Sequence, residues 1–509
     1  MTIYKMFDWG DADATYGAYG FDRWERLNPA QGEYNWSIID AWLDKNAGKP
    51  CAFSIATHLS AMEGWPSFYD ATPTWVYDGM GRPTMNGRPV GKIVTANGVD
   101  AALPYYNDQN RWWSALHEFT LAFGARYDHD ERLSAVFFGP GLDMETQPSK
   151  APYGDGNQGY RFGQLCSEYP KWYKAAFPNK PIFYACAPGQ GRLELAKLCG
   201  SLGIGVKHNG LQQDMDSWDG YGAFVGSWDY MQWAMDNDVP RWVESAHWLS
   251  DENMYWSIPA ALHYHPVGVD LHSGWIEAMP AEQLKFLSDH VGVTAQTAPD
   301  AFVVLRDSEY PKRAWTGSDG KAYGCSGHVG DWNFYLKRTS PDADAPRFED
   351  IGPSDAPESR QCRLIESATF EIELAAEPPY DVAIRWLDEP GHWLSLDGGA
   401  TMLAGTGSGL WDTLDVTVED RRFTITGDGA AVHMVRAVPV DGGGEPPEPP
   451  VDPVDWDAML AQIAVASDAL ERCYAELGEA TEHINAAEQQ RLAASEAVIA
   501  LKAMIEAEQ

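Results

Sequence analysis

The sequence predicts a (β/α)8 barrel followed by a β-sandwich of jelly-roll type, a short linker and a coiled-coil helix. Three changes of texture predict it. Over residues 1–295 short apolar runs alternate with longer helix-compatible segments, the pattern of a βα-repeat protein. From about 297 to 440 helical periods vanish and short alternating runs take over, as expected for packed antiparallel strands. After an acidic Pro/Gly stretch, the remaining residues carry a seven-residue apolar register, the signature of a coiled coil.

In chain order, the barrel strands are expected at IYKMF (3–7), YGAYGF (16–21), CAFSIAT (51–57) and SAVFFG (134–139), then at PIFYACA (181–187), GIGVKH (203–208), PRWVES (240–245) and PVGVDLH (266–272). Helices are expected at SIIDAWLDKN, RWWSALHEFTLAFGARY, LELAKLCGSL and DYMQWAMDND. Residues 60–105 form a long excursion rich in Gly, Pro and aromatics, the kind of insertion that shapes a cleft. In the second region, AFVVLRD, WNFYLKR, ATFEIELA, DVAIRWLD, LDVTVED, RFTITGD and AVHMVRAV read as strands, several separated by Gly/Asp turns. DGGGEPPEPPVDPVD (441–455) cannot pack and reads as an extended linker. Beyond it, Trp456, Ile463, Leu470, Leu477, Ile484, Val498 and Ile505 share one register interrupted by Arg491. This tail, 456–509, is expected to make a homo-oligomer, dimer or trimer.

Composition narrows the partners. The net charge of −37 argues against nucleic acid, whose phosphates need Lys and Arg. It also disfavours a strongly anionic polysaccharide, although a local basic pocket can override the global sign. The 22 Trp, 23 Tyr and 18 Phe suit a neutral glycan, because aromatic faces stack on sugar rings; most of these rings are nonetheless expected in the core. The seven cysteines show no CxxC and no even-numbered framework, so buried free thiols are expected. No apolar run approaches the roughly 20 residues that span a membrane, and the start MTIYKMFDWG shows no signal peptide. A cytoplasmic or a virion-associated location fits. No cofactor fingerprint appears: there is no P-loop, GxSxG elbow or dinucleotide motif.

Two glutamates stand out, Glu145 in AVFFGPGLDMET and Glu244 in VPRWVESAHW, each following an apolar run read as a buried strand. A barrel spends about 31 residues per βα unit, so their separation of 99 residues is close to three units. Barrel chemistry sits at the C-terminal ends of the strands. Two carboxyls facing each other there are what glycosidic cleavage needs, one protonated and one ionised. Asp143 is a rival to Glu145.

The stretch FDRWERLNPAQGEYNWSIIDAWLDKN (21–46) resembles the W-x-x-L-x-P-x-x-G-x-Y-x-W-x-x-I-D segment after the second strand of many clan-A glycoside hydrolases, including family 42-like β-galactosidases. Trp24, Pro29, Gly32, Tyr34, Trp36 and Asp40 occupy its positions. Ile38, Ile39, Trp42 and Leu43 recur at helical spacing and should face inward. GPGLDMET (139–146) is similar to the fourth-strand end of such enzymes, with Met144 where Asn is usual, and VPRWVESA (239–246) to the seventh. LGIGVKHNGLQQD (202–214) is similar to the sixth-strand segment of uncharacterised clan-A-like hydrolases. The resemblance covers roughly residues 1–290 and implies a retaining mechanism. Glu145 would be the acid/base and Glu244 the nucleophile, supported by Arg23 or His208, with the carboxyls about 5–5.5 Å apart. It also implies that His208 and Asn209 point to the mouth.

Further sugar contacts are expected from His58, Trp65, His247, Trp248, Asp270, His272 and Trp275, because ESAHW and HSGW set polar groups beside an indole. The spacing of His208, His247, His272 and Asp270 matches no metal-ligand pattern. HWLSLDGGATML and GLWDTLDV resemble appended jelly-roll modules of carbohydrate-active enzymes, with Trp393 and Trp411 serving either a glycan or the core. Two other functions compete with catalysis. One is a non-catalytic glycan-binding protein of a bacteriophage tail or virion. The other is a scaffold docked through its coiled coil.

Overall fold

The structure is a computed structural model. It describes residues 3–6, 16–65, 67–148, 159–186, 192–211, 229–245, 257–258, 261–262 and 264–292. Between 301 and 440 it describes a set of strands together with 379–396, 401–420 and 422–440. The chain divides into two units, Met1–Gly443 and Gly444–Gln509; the linker and the heptad tail at 441–509 lie outside the described residues.

Eight parallel strands close into a barrel: β1 (Ile3–Met6), β2 (Gly17–Arg23), β3 (Cys51–Ala56), β4 (Leu133–Phe138), β5 (Ile182–Cys186), β6 (Gly205–Leu211), β7 (Arg241–Ser245) and β8 (Gly268–Leu271). All eight fall where apolar runs predict strands. Each is short and nearly continuous in buried residues, as parallel strands covered on both faces must be. The ring closes where Tyr4 of β1 pairs with Gly17 of β2 on one side and Asp270 of β8 on the other.

Side-chain alternation then sorts the strand residues into two layers. Ile3, Val136, Ile182, Val206, Val243 and Val269 face outward into the large core shared with the helices. Tyr4, Met6, Tyr19, Ala52, Ala135, Phe137, Phe183 and Trp242 fill the barrel interior. The rings meet edge-on or tilted: Tyr4 and Trp242 have centroids 4.9 Å apart, Tyr19 and Phe137 4.9 Å, Phe183 and Trp242 5.3 Å. Glycines on β6 and β8 make room for them. A Cβ on Gly205 would stand 2.3 Å from the Phe183 ring, and one on Gly268 would stand 2.2 Å from Trp242. The interior is therefore a packed floor, which leaves space for a site only at the mouth above it.

Among the described residues the helices longer than one turn are α1 (Ser37–Lys45), α2 (Trp112–Tyr127), α3 (Gly159–Ala176), α4 (Arg192–Ser201), α5 (Asp229–Asp236), α6 (Ser273–Ala278) and α7 (Ala281–His290). The segment that carries the family resemblance folds as expected. Trp24 is fully buried and donates from its indole to Asn28 (3.2 Å), whose amide ties down the carbonyls of Ala30 and Glu33. On α1, Ile39, Trp42 and Leu43 are buried and Ile38 packs partly against the core. Helix α3 is not among the expected helices; Pro170 lies inside it, and proline ordinarily breaks a helix. Its buried stripe of Phe162, Leu165, Cys166, Tyr169 and Tyr173 keeps the segment helical. Cys51, Cys166, Cys186 and Cys199 are buried thiols outside any disulfide, as expected.

The excursion after β3 is built from three hairpins: His58–Leu59 with Tyr69–Asp70, Thr84–Met85 with Arg88–Pro89, and Lys92–Ala96 with Val99–Leu103. Asn86 and Gly87 turn the second at φ 50° and 78°, and Asn97 and Gly98 turn the third at 52° and 76°, the left-handed pair that tight hairpins require. The fully buried Asp70 carboxylate knots the excursion together, accepting from Thr72 N (3.0 Å), Gly91 N (2.8 Å) and the Tyr77 hydroxyl (2.9 Å).

Between 301 and 440 the strands form antiparallel sheets. One contains Ala301–Leu305, Tyr380–Leu387, Trp411–Val418 and Ala431–Pro439; another contains Asn333–Lys337, Ala368–Glu373, Trp393–Leu396, Thr401–Ala404 and Arg422–Asp428. Each of the seven runs expected to be strands contributes to one of them. Trp393 and Trp411 are both half-buried.

Candidate functional site

Period-two alternation carries the inward face of β6, β7 and β8 up to the mouth. Lys207 and Asn209 share the inward side of β6 with Gly205, Glu244 follows Trp242 on β7, and Asp270 follows Gly268 on β8. Register aligns them, since Asn209 pairs with Glu244 and Glu244 with Asp270. Directly above the aromatic floor, the Lys207 ammonium lies 5.5 Å from the Tyr19 ring centroid and 5.3 Å from that of Phe137.

Lys207 is 1% exposed and is the hub of this layer. It donates to Glu244 Oε2 and to Asn209 Oδ1 (2.9 Å), and lies 3.4 Å from Asp270 Oδ2. Asn209 in turn donates through Nδ2 to Glu145 Oε1 (3.0 Å). The two glutamates singled out from the sequence are thus joined across the mouth by two side chains of β6. Burial lowers Lys207 from its ordinary value, with Asp270 and Glu145 acting in the opposite sense.

Asp270 is wholly buried, and burial raises its carboxyl to about 6 against the opposing effects of Lys207 and of the Trp242 indole, which donates to it at 2.6 Å. The folded protein therefore holds this proton more tightly than the unfolded chain. The stabilisation that follows is present below the ordinary carboxylate value and is lost as pH rises from about 4 to 6. Asp270→Asn is expected to flatten the thermal midpoint over that window. An unchanged slope would show that Asp270 does not titrate there.

Glu145 does not stand at the end of β4 itself. It sits at the tip of a loop that folds back on the strand, where Gly141 N donates to Glu145 O (2.8 Å), Leu142 N to Gln147 O (2.8 Å) and Glu145 N to Leu142 O (3.1 Å). The two residues before it, Asp143 and Met144, are both left-handed at φ 52° and 61°, a conformation that costs energy for residues with a Cβ. The loop is clamped from the β3 side by Asp143 N→His58 O (3.0 Å), Ser60 N→Asp143 Oδ1 (2.8 Å) and the Thr57 hydroxyl to Pro140 O (2.8 Å). Gly139 permits the fold-back, because a Cβ there would meet Met144 O at 2.1 Å. Gly139→Ala is expected to displace Glu145 and to lower stability by about 3 kcal/mol. Chemical denaturation checks it, and a loss below about 0.5 kcal/mol would show the loop to be adaptable. Gln147 also donates to Glu145, from Nε2 to Oε2.

Several expected contacts sit elsewhere. Arg23 pairs with Glu25 (2.8 Å) and approaches the Tyr69 ring, and Arg88 joins the same glutamate; Glu244 pairs instead with Lys207. His208 shares the outward parity of Val206 and faces Tyr230 of α5 instead of the mouth. His58 is fully buried, with Nδ1 3.3 Å from the Tyr106 hydroxyl. Trp275 is 3% exposed within the main core, and Asp270 lies beneath the mouth, so neither offers a surface to a sugar. His272 is half-buried at the start of α6, its backbone N–H donating to Ser245 Oγ (2.9 Å). Asn209 is 7% exposed between Lys207 and Glu145. Trp65 is half-buried, edge-on to Tyr69 at 4.7 Å, in a cluster with Met144 and Met62. His247 and Trp248 lie outside the described residues. Lys207 is the residue that sequence reasoning missed. Its signal was a charged residue two positions before Asn209 inside a strand whose neighbours are all buried.

No family model matches the chain, and no curated protein matches it. Among solved structures it is similar to the catalytic domain of β-amylase from Paenibacillus polymyxa, at 12% identity and TM-score 0.39, covering 57% of this chain and 97% of that one. It is also similar to xylanase 10B from Thermotoga petrophila RKU-1, at 8% identity and TM-score 0.31 over 53% of this chain and 81% of that one. A third is the β-galactosidase from the psychrophilic Marinomonas ef1, at 10% identity and TM-score 0.34 over 53% and 54%. The barrel stands on its own strand pairing, which closes without reference to these likenesses.

Proposed function

We propose that the barrel is a retaining glycoside hydrolase of clan-A, family 42-like type, acting on a neutral oligo- or polysaccharide. Glu145 serves as acid/base and Glu244 as nucleophile. The observation that carries this reading is the bridge Glu145–Asn209–Lys207–Glu244, which links a carboxyl on the folded-back loop after β4 to one on β7 at one barrel mouth. The Glu244 carboxylate attacks the anomeric carbon while the Glu145 proton passes to the departing oxygen. Water then attacks the ester, giving its proton to Glu145 and returning the bonding pair to Glu244. Trp65, half-buried beside Met144, supplies an apolar face for a sugar ring. The net charge of −37 favours an uncharged substrate.

The test is a panel of neutral aryl glycosides and polysaccharides, scored for released aglycone and reducing ends. Release with retained anomeric configuration supports the assignment, and inversion would remove the nucleophile role of Glu244. One observation favours a second reading, a glycan-binding protein without turnover. Both oxygens of Glu145 already accept side-chain amides, from Asn209 and Gln147, as in a site whose acids only shape a surface. Saturable binding with no reducing ends released would select it.

A further inference from the structure

Lys207 is buried under the mouth with three acceptors around it, Glu244 on β7, Asp270 on β8 and Asn209 on its own strand. Tyr19 of β2 and Phe137 of β4 close the site from below. The charge of Asp270 helps raise the Tyr4 hydroxyl of β1, and that of Glu145 opposes the lowering of the Arg192 guanidinium of α4 by burial. A buried ammonium without a counter-charge is strongly destabilising, and so is a buried carboxylate stripped of its cation. One carboxylate would satisfy Lys207 in a resting protein. A second is needed only if the first gives up its charge, and esterification of Glu244 does that.

Resting on the function proposed above, we infer that Lys207 is a positioning residue that holds Glu244 as a carboxylate, and that Asp270 is the charge retaining the Lys207 ammonium while Glu244 is esterified. In the first step, an oxygen of Glu244 forms the bond to the anomeric carbon and the aglycone oxygen leaves with its electron pair and the Glu145 proton. Glu244 becomes neutral, and Lys207 keeps Asp270 at 3.4 Å. In the second step water displaces the ester, and Lys207 meets the returning negative charge on Glu244. The lysine never touches the sugar; it sets the charge of the group that does.

Two measurements test this, the second of them independently of the function. The first is the pH profile of kcat/KM for wild type, Lys207→Met and Lys207→Arg. The acidic limb should move up by about one unit or more in Lys207→Met, a loss of about tenfold on that limb, and Lys207→Arg should bring it back. A limb unmoved in Lys207→Met, or not restored in Lys207→Arg, overturns the inference. The second is a thermal double-mutant cycle of Lys207→Met with Glu244→Gln, which needs no activity. The double variant should melt above Lys207→Met alone, because removing Glu244's charge removes the orphan. A double variant no more stable than the single one, or strictly additive losses, overturns the ion pair. If wild type cleaves no glycoside while the cycle shows the recovery, the functional reading fails and the Lys207–Glu244 coupling survives.

Discussion

Replacing Glu244 with Gln is expected to abolish glycoside cleavage, with kcat/KM falling by about 10⁴-fold or more whatever the leaving group, because no carboxylate is left to attack the anomeric carbon. Glu145→Gln should behave differently. Its loss, about 10²–10⁴-fold, should be greatest for substrates with poor leaving groups and smallest for activated aryl glycosides that leave without a proton. The two substitutions are nearly isosteric. The amide oxygen that each introduces can still accept, from Lys207 at position 244 and from Asn209 at position 145, so folding should persist and the comparison reads chemistry. Stopped assays on matched aryl and alkyl glycosides decide it. If the loss follows Asp143→Asn instead, the acid moves to Asp143. If both glutamine variants keep wild-type rates, the barrel mouth is not catalytic.

The second large effect is structural. Trp242→Ala is expected to destabilise the barrel by about 4 kcal/mol, the cost of an emptied aromatic site in a packed core. Trp242 contacts Tyr4, Phe137 and Phe183 at 4.9, 4.8 and 5.3 Å, and its position is matched by the glycine at 268. Its indole also donates to Asp270, so the truncation leaves a buried carboxyl short of a donor. Trp242→Phe, which refills most of the volume and loses only the donor, should cost about 1–2 kcal/mol. Urea unfolding followed by far-ultraviolet dichroism measures both. Equal losses in the two variants would show that the hydrogen bond matters and the ring packing does not.

The strand pattern of the barrel was legible because parallel strands are short and largely apolar, and each such run stands out between helical segments. The excursion was legible only as a long insertion; its hairpins turn at the Asn86-Gly87 and Asn97-Gly98 pairs, where two left-handed residues are needed. Helix α3 was hidden by Pro170, since the energy that overrides the proline comes from tyrosines packed on strands distant in the chain. Trp275 looked like a sugar contact beside His272 and proved to be core, because the local pattern HSGW does not say which way the first turn of α6 faces. His208 was expected at the mouth, and Lys207 stands there instead, for a simpler reason. Adjacent strand residues point to opposite faces, and only the outward packing of Val206 fixes which is which.

By itself, then, the sequence determined the eight strands, their order, the packed helix after the second strand and the two glutamates three units apart, all of which follow from local periodicity and spacing. The tertiary structure decided what those glutamates meet. Lys207, Asn209 and Asp270 lie between or beneath them only because closure of the ring sets β6, β7 and β8 side by side in one register. Glu145 reaches them only because the loop carrying it is folded back and clamped from β3. Contacts of that kind depend on pairing between segments far apart in the chain, which no local pattern of residues encodes.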